Sequence, residues 1–469
     1  MNRKLHEDVR AASELLEAIA ADRRLLEHLS DGDRTRLHQA VAQMYNPDPV
    51  SRRRLRKDLL AEKERQTLAA LYETGIRALR RRPVFTTPNV FPPDEREHSE
   101  TAEPQHCYVC KAKYTVVHKF YDQMCPACAE FNFAKRTQSA NLQGRVALLT
   151  GGRVKIGYQA GLKLLRAGAE LIVTTRFPRD SARRYAQEPD FDQWADRLEI
   201  FGLDLRHTPS VEQFCRVLLQ TRTRLDFIVN NACQTVRRPP EFYRHMIDGE
   251  RSALLQANES ALVHEAKELA DSARLSQLAL LPEDLLAQHH LFPEDQLDKD
   301  LQQVDLRGRN SWRLLMDEVS SVELIEVQLI NAIAPFILNA RLKPLMMRSP
   351  ERDKHIVNVS AVEGQFYRKW KTTRHPHTNM AKAALNMMTR TSATDYYAAG
   401  IHMNAVDTGW VTDEDPAEIA ARKIVEQRFH PPLDIVDGAA RIIDPIFHGF
   451  NTGEHVWGQF LKDYRPAHW

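Results

Sequence analysis

Cysteine is scarce in this chain, and what little there is falls unevenly: six residues in 469. That is too few for a disulfide scaffold in a chain this long. A charge imbalance is also missing. The formal net charge of +2 argues against a generally nucleic-acid-binding surface, although it hides a basic block near the N-terminus. No stretch approaches the roughly 20 apolar residues of a membrane span, and the opening MNRKLHEDVR carries charges where a signal peptide would have its apolar core. There is no internal repeat. These absences lead to the expectation of a soluble, cytoplasmic protein.

The length exceeds one mononucleotide-type α/β domain by roughly 200 residues, so additional modules are required. Residues 1–82 alternate apolar and charged residues at helical spacing, with turns or caps expected at Ser30–Asp33 and Asn46–Ser51. The arginines at 52–54, 56 and 80–82 read as a solvated helix surface more readily than as a grip on nucleic acid. Residues 83–103 are Pro-rich and polar and read as an extended linker. A cysteine-rich module covers 104–140, and the remainder, 141–469, is an α/β core interrupted by a long, mostly helix-forming insertion at about 237–310.

Four of the six cysteines form two C-x2-C pairs, Cys107/Cys110 and Cys125/Cys128. Two such pairs about a dozen residues apart have the spacing of a closed tetrahedral zinc site. Four sulfurs leave no position for water, so the expected role is structural. The other two, Cys215 and Cys233, read as small hydrophobes. His106 and His118 stand nearby as weaker ligand candidates.

The core opens with GRVALLTGGRVKIGYQAGLKLLRAGAELIVTTR, a buried strand, a glycine turn, an amphipathic helix and a second buried strand ending on Arg176. That order is the beginning of a dinucleotide-binding βαβ unit, which brings backbone N–H groups and a helix N-terminus to a pyrophosphate. Thr150, Gly151 and Gly157 fit the pattern TGxxxGxG, with Arg153 and Ile156 inside it, while Lys155 replaces the middle glycine. A lysine there must turn its side chain away or lay it along the phosphates.

Further motifs follow in order: Asp204 and Leu205 after a third strand, Asn230, Asn231 and Ala232 after a fourth, then Asn331, Ser360, Lys382, and the turn Asp407, Thr408, Gly409. Through these residues the chain resembles the short-chain dehydrogenase/reductase family over just more than half its length. The resemblance implies a Rossmann-type, doubly wound parallel sheet. It implies that Asp204 and Leu205 contact adenine, that Asn231 and Ala232 belong to the cofactor-binding NNAG motif, that Thr408 and Gly409 lie in the turn under the nicotinamide, and that Lys382 binds its ribose. Asn331, Ser360 and Lys382 match three of the family's four catalytic residues. The fourth, a tyrosine one helical turn before the lysine, is here Thr378.

Threonine neither ionises near neutral pH nor reaches as far as tyrosine, so three readings stay open. Tyr367 on the lengthened loop after Ser360 could supply the phenol. His375 or His377 could exchange the proton. Otherwise the chain binds the dinucleotide without ordinary carbonyl reduction, as a regulatory or scaffold protein. Arg176 stands where an acidic residue would hold the 2′-hydroxyl of NAD and favours the 2′-phosphate of NADP(H), with Arg153 in support. The insertion should cap the site or cover a dimer surface. The expectation is an NADP(H)-dependent, zinc-stapled oxidoreductase acting on an unnamed small molecule, with a homo-oligomer open and neither membrane nor nucleic acid as partner.

Overall fold

The computed structural model describes the chain except for residues 1, 46–47, 81–98, 253–256, 265–268, 287, 294–295, 299–301, 368–370, 413 and 427–429. The described residues divide into two units, Met1–Ala69 and Ala70–Trp469.

The first unit is helical, as its apolar spacing predicts, with helices Asn2–Ala21 and Asp31–Tyr45 and most of Pro49–Tyr72. Side-chain oxygens cap the breaks. Ser30 Oγ accepts from Asp33 N–H at 3.1 Å, and Asp48 accepts from Val50 and Ser51 N–H at 2.8 and 3.0 Å. The expected helical module ran to residue 82. Instead the short helix Gly75–Arg80 belongs with the cysteine module: Gly75 and Ile76 N–H donate to the carbonyls of Lys119 and Phe120, both at 2.9 Å. Arg81, Arg82 and most of the expected linker lie outside the described residues. Its last residues, from Ser99, already form strand β1 (Ser99–His106), which pairs antiparallel with β2 (Lys113–Val117).

The cysteine module continues into helix Pro126–Thr137 and docks on the core through charge. Arg136 bonds Asp434 at 2.7 Å and Lys135 bonds Asp444 at 2.6 Å, the former at the N-cap and the latter within helix Ile435–Thr452. Asp434 serves two purposes there. Its carboxylate also accepts from Val436 and Asp437 N–H, completing the cap.

The core is a nine-stranded sheet. Its strands are β3 (Val146–Thr150), β4 (Glu170–Thr175), β5 (Leu198–Gly202), β6 (Phe227–Asn230), β7 (Val263–His264), β8 (Lys354–Ser360), β9 (Ile401–Asp407), β10 (Phe460–Lys462) and β11 (Arg465–Ala467). They lie in the order β11-β10-β9-β8-β6-β3-β4-β5-β7, parallel throughout except for the β10–β11 hairpin. Helices cover both faces, so a strand such as VALLT is buried at every position rather than at alternate ones. Two apolar clusters fill the two sides. One includes Leu149, Leu162, Ile442 and Phe447, the other Leu148, Phe214, Leu338 and Leu342. The strand order reverses between β3 and β6, and that switch point positions the site.

Two expectations need adjusting. The helical run Ser321–Met346 is long and apolar enough, by length and composition, to cross a membrane. It is a core helix here: Leu338, Leu342 and Leu345 are buried in the second cluster, and Asn331 on it is buried too. Among its described residues the insertion forms the turn Pro240–Tyr243 and the helices Arg244–Ser252 and Ala257–Leu262, and it adds a strand that was not expected, β7, which extends the sheet beside β5.

Candidate functional site

A cleft of about 790 Å³ opens at the carboxyl ends of the central strands. Its floor is the glycine turn after β3. Gly151 has φ +69°, and a Cβ there would stand 2.9 Å from Ala232 Cα; a Cβ on Gly157 would lie 2.1 Å from the Gly151 carbonyl oxygen. Only glycine lets the helix Lys155–Arg166 start this close to the turn. Thr150 lies beneath the cleft wall, its hydroxyl accepting from Ala232 N–H at 3.0 Å, and Asn231 Nδ2 donates to the carbonyls of Thr150 and Gly151 at 3.1 and 3.2 Å. These bonds lock the β3 and β6 turns together. Lys155 retains the left-handed backbone of the glycine it replaces, φ +55°. Its ammonium acts on Glu414: burial raises that carboxyl, but Lys155, the Thr412 hydroxyl and Arg238 outweigh burial and hold it below its ordinary range.

At the far end the two arginines differ. Arg153 is committed to Asp180 at 2.7 Å, a carboxylate that also takes Arg184. Arg176 instead donates to the hydroxyl of Tyr243 at 2.8 Å and lies over that ring, 4.5 Å from its centroid. Tyr243 comes from the insertion, which also contributes Arg238 and Phe242 to the cleft and so caps this end. Burial would raise the Tyr243 phenol, yet Arg176, Arg238 and Arg206 together pull it below its usual value. The local potential is therefore positive. Leu205 lines the cleft, but the Asp204 carboxylate is already gripped by Arg206, with contacts of 3.0 and 2.6 Å. Arg206 continues to Glu326 at 2.9 Å.

At the other end β8 delivers Ser360, whose hydroxyl donates to Asn386 Oδ1 at 2.5 Å. Asn386 lies one turn beyond Lys382 on helix Pro376–Ala398, and Lys382 Nζ donates to the Val359 carbonyl at 2.7 Å. Asn331 occupies a single π turn, Leu329–Ile333, a break in α-helical pitch that is common at functional sites. Both of its side-chain groups are bonded to the Gln234 backbone, at 3.0 and 2.8 Å.

The cleft wall does not include the three expected proton carriers or Thr378. Tyr367 is 96% exposed, its ring in solvent. His375 is buried, stacked on Trp312 with centroids 3.8 Å apart, and burial lowers it to about 4. His377 is buried against Glu323, 3.4 Å away. Thr378 is buried, its hydroxyl without a hydrogen-bond partner among the described residues. Tyr367 thus turns outward, and the two histidines and Thr378 are taken up in packing.

Two cleft residues escape the motif reading. Asp407 ends β9 directly opposite Ser360 in register, buried and lining the cleft, where its carboxylate accepts from Val362 N–H at 3.2 Å. Burial raises it to about 6, with Lys462 opposing and Glu363 and Asp463 adding to the rise. In the sequence this position belongs to a turn motif, where its side chain carries no signal. The second is Tyr108, which lies between the first two cysteines and whose hydroxyl reaches the turn after β9.

The four cysteine sulfurs lie within 4.8 Å of one another. Cys110 and Cys125 Sγ are 3.7 Å apart, against ~3.8 Å for two thiolates sharing a tetrahedral zinc at ~2.3 Å. The Ala112 N–H and the Cys107 sulfur bring the Cys110 thiol down to about 7.

Residues 145–275 match the family described as short chain dehydrogenase, and residues 314–431 the family described as enoyl-(acyl carrier protein) reductase. Uncharacterized protein R665 of Acanthamoeba polyphaga mimivirus is 32% identical over 373 residues, spanning 77% of this chain and 74% of that one. The WW domain-containing oxidoreductase of Drosophila melanogaster is 29% identical over 167 residues, 33% of this chain and 39% of the relative. Among solved structures, a short chain dehydrogenase of Escherichia coli CFT073 complexed with NADPH superposes with a TM-score of 0.44 at 16% identity, covering 70% of this chain and 99% of that one.

Proposed function

Because the chain belongs to the short-chain dehydrogenase/reductase family, as a divergent member, we propose that it is an NADP(H)-dependent oxidoreductase in which Asp407, rather than a tyrosine, carries the exchangeable proton. The observation that carries this reading is the register of Asp407 with Ser360 at the mouth of the parallel sheet. The glycine turn, Asn231 and Ala232 suit the pyrophosphate side of a dinucleotide, and the field of Arg176 and Arg238 suits an additional phosphate on its adenosine ribose. Lys382, beside Ser360, suits the nicotinamide ribose. The dinucleotide, when bound, supplies or accepts a hydride at a substrate carbon.

The protein residues handle the rest. Ser360 holds the substrate oxygen, and the Asp407 carboxyl gives it a proton as it becomes an alkoxide, then regains one from water. Asp204 and Asn331 act through packing and the backbone bonds they already make. The four cysteines hold a structural zinc that fixes the knuckle carrying Tyr108.

A second reading, a dinucleotide-binding regulatory protein without turnover, is favoured by the bonds that tie Ser360 to Asn386 and Lys382 to Val359. NADPH oxidation measured with a panel of aromatic aldehydes and ortho-quinones separates the two. Turnover that disappears in Asp407→Asn while NADPH affinity holds supports the oxidoreductase. NADPH binding with no turnover of any probe by the wild type supports the regulatory reading.

A further inference from the structure

The strands that present Ser360 and Asp407 at their carboxyl ends present two histidines at their amino ends. His355 of β8 and His402 of β9 stand opposite each other in register, and His455, after helix Ile435–Thr452, completes a triangle. The ring centroids are 5.2, 5.1 and 5.0 Å apart, and one nitrogen from each ring lies within 4.8 Å of the others. At five residues along each strand, ~17 Å from the cleft end, the trio has no part in the site described above.

One of the three is hydrogen-bonded as a metal ligand would be. His402 Nδ1 lies 3.1 Å from the Lys354 carbonyl oxygen. A carbonyl only accepts, so Nδ1 carries the proton and Nε2 keeps its lone pair, the arrangement that backbone carbonyls impose on metal-binding histidines. His355 Nε2 and His455 Nδ1 face each other at 2.8 Å. His355 Nδ1 is buried without a hydrogen-bond partner among the described residues, so three imidazoles do not satisfy one another here. Gly449 makes the room: a Cβ there would stand 2.3 Å from His455 Nδ1. Burial, reinforced at His355 by the other two rings, lowers the proton affinity of all three. Phe227, Tyr397 and Phe450 form an aromatic surround. Asp353, the acidic group whose field reaches His402 and His455, is held by Arg145 at 2.7 Å and is not offered as a fourth ligand.

We propose that His355, His402 and His455 form a second metal site, separate from the cysteines, for a borderline first-row dication such as zinc(II). Three imidazoles without carboxylate or carbonyl ligands suit zinc, copper or nickel and not magnesium or calcium. Two imidazole nitrogens on one tetrahedral zinc stand ~3.4 Å apart, so loading opens the His355–His455 contact by ~0.6 Å. His455, half-buried in the irregular segment after the helix, is the ring that moves. The bound ion clips β8, β9 and the segment leading to β10 together at the end of the sheet opposite the cleft.

The test is the metal content of the untagged full chain after equilibration with zinc and removal of loosely bound ion, followed by the visible spectrum of the cobalt(II)-loaded protein. Wild type is expected to hold one equivalent more than His455→Ala, and the variant should lose nitrogen-site d–d bands while keeping thiolate-to-cobalt charge transfer. Should His455→Ala fold poorly, His402→Gln and the wild-type cobalt spectrum decide the matter. Equal metal content in wild type and a folded variant, or a wild-type spectrum of thiolate character alone, overturns the proposal.

Discussion

Tyr108 accepts a hydrogen bond from the Trp410 backbone N–H at 3.0 Å, so the cysteine knuckle and the turn bordering the cleft are joined through one phenol. Gly409 in that turn, at φ +73°, lies close under both neighbours, since a Cβ there would stand 2.4 Å from Leu433 Cδ1 and 3.3 Å from the Tyr108 hydroxyl. The module that sequence spacing marks as structural is therefore also a wall of the site.

The first prediction concerns that wall. Cys125→Ser should lose zinc, and with it the fixed position of Tyr108, raising KM more than it lowers kcat. Tyr108→Phe, which removes only the hydrogen bond, should cost about 0.5–1.5 kcal/mol of stability. Metal analysis, thermal melts and steady-state kinetics check both. A metal-free Cys125→Ser protein with unaltered KM would separate the module from the cleft.

Arg176 sets cofactor choice in the second prediction. Its hydrogen bond is to the Tyr243 hydroxyl and not to a carboxylate, which leaves the guanidinium charge for a phosphate. Arg176→Ala should weaken NADPH relative to NADH by about 1.5–3 kcal/mol, tenfold or more in the affinity ratio. Arg153→Ala should act mainly on stability, because its partner is the half-buried Asp180, which Arg184 also holds. Calorimetric titration with both dinucleotides distinguishes the two variants.

Asp407 predicts an unusual pH profile. Its carboxyl sits near 6 chiefly because it is buried. Reduction needs the protonated acid, so kcat for reduction should fall as pH rises through about 6; oxidation needs the carboxylate and should rise through the same point. For stability the sign is the same as for reduction: a raised carboxyl pKa means the folded state binds the proton more tightly, so stability declines as pH rises from the ordinary carboxylate range to about 6. Asp407→Asn should abolish turnover in both directions and remove this part of the pH dependence of stability.

Much of this was legible from spacing. The glycine turn, Asn231, Ser360 and Lys382 are local motifs whose geometry is set within a few residues, and the C-x2-C pairs carry their own turn. Asp407 and Tyr108 were not legible, because what matters is what they face across the fold: a register opposite Ser360 in one case and a module packed against the β9 turn in the other. Tyr367 failed as a candidate for a related reason. Loop length gives reach but does not say which way a side chain points, and here it points to solvent. The histidine triangle depends on pairing between β8 and β9 and on a glycine 47 positions beyond His402.

Lys155 offers the last prediction. With φ +55° it adopts a backbone that costs a non-glycine residue about 1–2 kcal/mol, and glycine at that position would relieve it at an entropic cost of about 0.5–1 kcal/mol. Lys155→Gly should therefore leave the melting temperature unchanged or slightly higher. Binding should move the other way. Without the ammonium, Glu414 loses the cation that most favours its ionised form, and the cleft loses a positive charge at the glycine turn. NADPH affinity should fall at least severalfold, with a weaker salt dependence than in the wild type. An unchanged dissociation constant would mean that the lysine side chain serves Glu414 alone and does not reach the phosphates.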